Sequence, residues 1–150
     1  MRFNVYDGTA LVGGVSLAPQ SFSGSSAVDG SSVNTTGYDN AAIHAYGASA
    51  SGSPTAAALA ITLQESSDNS TWSNALDNTG TVIGFTLNCH SAAAENVARI
   101  EGLNLNRKQY LRAVITPAFT GGTSPAILGF AEIVMGNAEQ KPVDSNTSNT

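Results

Sequence analysis

The stretch from Ala57 to Glu65 constrains the fold of this chain more than any other. Ala57, Leu59, Ile61 and Leu63 alternate with Ala58, Ala60, Thr62 and Gln64, so one set is apolar and the other small or polar. Successive side chains of an extended chain point to opposite faces, and a period of two is what a strand with one face in a core requires. The Ala-rich start does not make a helix, because no helical stripe follows it and Thr62 is β-branched. Ser66-Ser67-Asp68-Asn69-Ser70 then supplies turn-formers before Thr71-Trp72, which predicts a hairpin returning antiparallel to this strand.

The same reading extends to Ala41 to Tyr46, Thr81 to Leu87, Val97 to Leu103 and Tyr110 to Thr116, with Pro117 ending the last of these. Ala126 to Met135 is apolar on nearly both sides and predicts a central strand. Ser, Thr, Asn and Gly make up 60 of the 150 residues, and strands and turns absorb these better than helices do. The expected fold is all-β: an antiparallel β-sandwich, with a jelly roll among the strand orders that use this alternation. Residues 1–20, broken by Asp7-Gly8 and Gly13-Gly14, read as an extended N-terminal arm, with an edge hairpin as the competing reading. Residues 21–136 form the sandwich domain, and 137–150 a polar C-terminal tail.

Six Lys and Arg against eleven Asp and Glu give a net charge of −5, and no basic cluster exceeds Arg107-Lys108 with Arg112 nearby. Binding to nucleic acid through its phosphates is not expected. No apolar run is long enough to span a membrane, and none has the pattern of a secretory leader. Catalytic groups are scarce: two histidines, His44 and His90, and one cysteine, Cys89. His44 reads as an ordinary strand residue, and Cys89 and His90, as chain neighbours on an extended segment, point apart. Asp68-Asn69-Ser70 and Asp77-Asn78 read as tight turns rather than calcium loops, since neither carries a carboxylate cluster. No enzymatic activity, cofactor or metal is expected. The single tryptophan, Trp72, is expected to cap one end of the core where two sheets meet.

The run Ala60-Ile61-Thr62-Leu63-Gln64-Glu65-Ser66-Ser67-Asp68-Asn69-Ser70-Thr71-Trp72, the strand Arg107-Lys108-Gln109-Tyr110-Leu111-Arg112-Ala113-Val114-Ile115-Thr116-Pro117 and the loop Phe119-Thr120-Gly121-Gly122-Thr123-Ser124-Pro125 resemble the small head decoration, or cement, proteins of tailed bacteriophages. The resemblance covers about Leu59 to Met135. It implies a virion structural protein on the capsid surface, partnered by the major capsid protein and by copies of itself, as a homotrimer or a dimer. It brings no catalytic residues. Within the arm, Phe3, Val5 and Tyr6 are the candidate contacts, since exposed apolar arms seek grooves or sheet edges. Two alternatives stand beside this reading: a glycan-binding β-sandwich using Trp72 or Tyr46 as a stacking platform, and a tail or neck component of the virion.

Overall fold

The computed structural model describes residues 12–90, 96–104 and 108–138. The arm candidates Phe3, Val5 and Tyr6 lie outside the described residues. Every described regular element is a strand: β1 (Val12–Ser23), β2 (Val28–Asp29), β3 (Val33–Asn34), β4 (Tyr38–Gly47), β5 (Ala56–Ser66), β6 (Ser73–Asn74), β7 (Gly84–Asn88), β8 (Asn96–Asn104), β9 (Tyr110–Thr120) and β10 (Ala126–Ala138). The first sheet has the order β1-β10-β4-β8. The second has the order β2-β9-β5-β6, with β3 also on β9 and β7 on β5. β10 is a central strand, as its composition predicts.

Strands of the first sheet alternate along the chain with strands of the second, and the outermost pairs in sequence become neighbours in space. β1 pairs with β10, β2 and β3 pair with β9, and β4 and β5 open the inner halves of the two sheets. This antiparallel order, with connections that cross from sheet to sheet, is that of a jelly roll. β4, β5, β9 and β10 each turn an apolar row inward, and packing the two sheets together buries these rows.

β5 and β9 stay in register without a break from Ala56↔Thr120 to Ser66↔Tyr110. Leu59, Ile61 and Leu63 of β5 and Leu111 and Ile115 of β9 meet Ile43, Ile127, Ile133 and Phe22 of the first sheet in a single buried core. Gly47 and Gly129 stand opposite one another in the first sheet. A Cβ on Gly47 would come within 2.7 Å of the Cys89 sulfur and 3.0 Å of Leu59, and one on Gly129 within 2.6 Å of the Tyr46 carbonyl oxygen. The glycine pair is thus a recess that admits Leu59 and Cys89.

The strand containing Pro117 does not end there but runs on to Thr120, with Pro117 opposite Leu59. β2 reaches only to Ile115 on the other edge of β9, so the amide hydrogen that proline lacks has no ladder partner to disappoint. The strand expected from Thr81 begins instead at Gly84, because Ile83 donates its N–H to Ala75 while Leu63 donates to Ile83. β1 takes up Val12–Ser23, crossing the arm boundary drawn at residue 20. Its pairing with β10 shifts register between Val15 and Leu17, and the bulge turns Ser16 inward. The buried Ser16 hydroxyl accepts the Ala113 N–H at 2.9 Å and donates to the Ser31 carbonyl at 2.9 Å, tying the edge of the first sheet to the second.

Candidate interaction surfaces

With the core filled, the chemistry left to the molecule lies on the outward positions of the two sheets. On the second sheet, the unbroken β5–β9 register sets Gln64 opposite Arg112. The Arg112 Nε and Nη2 donate to Gln64 Oε1 at 2.9 and 2.7 Å, and Nη2 lies 3.0 Å from Asp29 Oδ2 on β2. The guanidinium also sits 4.4 Å from the ring centre of Trp72. Trp72 is therefore not a cap on the core, as the sequence suggests, but a half-buried ring on the outer face. Its face attracts the cation, while Ala75 and Ile83 occupy the core beneath the same hairpin.

The hairpin that presents Trp72 is fixed by Asp68. Its carboxylate accepts the N–H groups of Thr71 and Ser70 at 2.7 and 2.9 Å and the Ser66 hydroxyl at 2.9 Å, and Asn69 takes a left-handed φ of 56°. Those donors, the Thr71 amide foremost, hold the Asp68 carboxyl well below the usual carboxylate range. Asp77 is treated alike by the Thr79 hydroxyl and the Thr81 and Thr79 amides, which also lower its titration. Both aspartates serve their own turns.

The outer face of the first sheet is different in kind. Phe130 and Tyr46 are register partners whose rings stack with centroids 5.9 Å apart at 27°. Two residues along, Glu132 stands opposite His44, with Oε1 3.3 Å from Nδ1. Leu128 and Val15, 55% and 58% exposed, extend the same surface, and the half-buried Val134 and the buried Ala42 continue the row past the Glu132–His44 contact. Tyr46, a candidate platform for glycan stacking, already stacks on a neighbour. His44 lies in its strand as expected, and its partner is Glu132. An alternation of apolar residues on both faces of β10 is the signal that marks this surface, but Leu128 and Phe130 read equally well as the second buried face of a central strand.

Cys89 is fully buried, and burial pushes its thiol up, away from the thiolate a nucleophile needs. His90 is exposed and donates its backbone N–H to Asn88. It lines an open depression of about 500 Å³ with Thr55, Ala58, Thr86, Asn88 and Thr120, and among the described lining residues it is the titratable one. Among the described residues no three His, Cys, Asp or Glu side chains gather as a metal site requires.

No family model matches the chain, and no curated protein does. Among solved structures, a chain from turnip yellow mosaic virus aligns over 98% of this chain and 90% of its own at 11% identity and a TM-score of 0.38. One from desmodium yellow mottle tymovirus aligns over 98% and 97% at 12% identity and a TM-score of 0.34.

Proposed function

We propose that this chain is a virion structural protein: a decoration or cement protein that binds the outer surface of a tailed-phage head and stabilises the junctions between capsomers. Its partners are the major capsid protein and further copies of itself about a symmetry axis, and it performs no reaction. The observation that carries this reading is the convergence of the residues on which the phage resemblance rests. Gln64 and Trp72 of the first motif and Arg112 of the second, far apart in sequence, meet as one cluster on the second sheet. The jelly roll is an architecture that viral capsid and lectin domains share.

Phe3, Val5 and Tyr6 are the proposed contacts with the shell. Because β1 begins at Val12, a truncation that spares the domain removes residues 1–11 only. Co-sedimentation with phage heads lacking the protein tests the proposal. The full chain is expected to pellet with heads at a saturating ratio, and the truncated chain to stay in the supernatant. A folded full chain that never pellets with heads excludes a decoration role, and undiminished binding by the truncated chain excludes the arm.

One observation favours a second reading, glycan binding on the second sheet: Trp72 is half-exposed on an outer face beside Gln64 and Arg112 rather than sealed in the core. Arg112 occupies one side of the ring, and this reading has a sugar stack upon the other. A glycan array probed with the full chain and with Trp72→Ala separates the two readings, since only a lectin loses a signal in this variant.

A further inference from the structure

The outer face of the first sheet combines an apolar field with one acid–base pair, and the register fixes where each part lies. Along β10, Leu128, Phe130, Glu132 and Val134 face outward in turn, about 7 Å apart. Opposite them on β4 stand Tyr46, His44 and Ala42. The row through Glu132 runs from Val15 on β1, through Glu132, to His44, and Arg99 stands at the next register position on β8. The row therefore sets a carboxylate on β10 beside an imidazole on β4, with apolar rows before and after it. Glu132 and His44 keep only about a third of their side-chain exposure, 35% and 34%.

We propose that this face is where two copies of the chain meet, sheet against sheet, about a two-fold axis. Charge decides the occupant. A two-fold axis through the Glu132–His44 row reverses the row in the partner and lays each carboxylate against the partner's imidazole, so the two pairs attract as antiparallel dipoles. A surface of another protein must supply a matching acid, a matching base and an apolar frame; a second copy supplies all three by symmetry. The same rotation sets the apolar rows of one copy on those of the other, burying Leu128, and brings Val15, at the β1 end of the charged row, over the β8 end of the partner's row; these two are the most exposed large apolar side chains described. The chain carries a net charge of −5, so two copies repel unless, as here, each exposed carboxylate meets a hydrogen-bond donor of its partner. This inference stands apart from the phage-head reading and commits to two copies on this face rather than three.

Sedimentation equilibrium of the full chain over a series of concentrations tests it, with folding of each variant checked by far-ultraviolet circular dichroism. The wild type is expected to dimerise. Leu128→Lys and Val15→Lys, at exposed positions that the monomer tolerates, are each expected to weaken dimerisation by about tenfold or more. Ala118→Lys on the second sheet leaves it unchanged. Glu132→Lys weakens the dimer, and adding His44→Glu, which restores the pair in reversed order, recovers most of the loss. A wild type that stays monomeric at every concentration overturns the proposal. So does self-association that Leu128→Lys leaves intact, that Ala118→Lys weakens equally, or that vanishes only on removal of residues 1–11.

Discussion

The two outer sheet faces arise from the same strand alternation and end in opposite states. On the second sheet the long side chains are tied to one another: Arg112 binds Gln64 across the strands, reaches Asp29 at the edge and lies on Trp72. Among the described residues of the first sheet's outer face, Glu132 meets His44, and around that pair Leu128 and Val15 stand exposed beside the half-buried aromatic pair. The core dictates only inward positions. Outward positions can be used to close a face with cross-strand ties or to leave it ready for another surface, and this molecule does one on each side.

The largest expected effect tests what the two faces share. Leu59 packs beneath both sheets, against the recess at Gly47 and Gly129. Leu59→Ala is expected to destabilise the fold by about 3 kcal/mol, read from urea unfolding. Trp72 fluorescence reports the second sheet and near-ultraviolet circular dichroism of the tyrosines reports chiefly the first. Coincident transitions from the two probes are the expected result, whereas separate midpoints mean that the sheets unfold independently and that the faces belong to separate units.

Arg112→Ala opens the closed face. It removes two hydrogen bonds to Gln64 and the stack on Trp72, together with an ion pair to an Asp29 that is more than half exposed and adds little. A loss of about 2 kcal/mol is expected, with Trp72 emission shifted toward that of a solvated indole. Arg112→Lys recovers only part, because an ammonium cannot present the guanidinium fork to Gln64 Oε1 while lying flat on the ring. Full recovery by lysine assigns the cluster to charge alone.

Much of this arrangement was legible in the sequence, and the rest was withheld for physical reasons. The Ala57–Glu65 alternation and the turn after it carry β5 and its hairpin, because period and turn chemistry are local. Sequence does not single out the jelly-roll order, since strand alternation is identical whichever strands become neighbours. A large apolar ring favours the core on size alone, so the sequence points Trp72 inward; what holds it outside is Arg112, forty residues away, and the β5–β9 register brings the two together. Pro117 reads as a strand end because the sequence does not say that its edge of β9 lies beyond the reach of β2. The open face was hidden for a related reason, as apolar outward residues on β10 look the same whether a neighbour covers them or nothing does.

A smaller effect is expected at the Asp68 turn, which holds the hairpin under Trp72. The folded-state titration of Asp68 lies below its unfolded value, so its contribution is complete above the usual aspartate range and is lost as pH falls through that range toward the folded value. Asp68→Asn therefore lowers stability at neutral pH and flattens the decline in melting temperature on acidification. The amide keeps one oxygen to accept the Ser70 or Thr71 N–H, which limits the loss. A wild type and variant with parallel acid limbs show that the carboxylate charge does not stabilise the turn.

The smallest effect on the isolated chain belongs to the open face, and there it is the near-absence of a change that informs. Leu128 is 55% exposed and packs on little within its own chain, so Leu128→Ser is expected to shift the stability of dilute protein by no more than about 0.5 kcal/mol. The comparison between the faces predicts that this equality fails as concentration rises. Association that binds only the folded state adds to its stability by mass action, so the wild-type melting temperature climbs with concentration while that of the serine variant stays flat. Arg112→Ala behaves in the opposite way, costing stability at every concentration and leaving the slope of the wild type in place. If the two variants exchange these signatures, the closed face is the one that meets a partner and the open face is merely apolar.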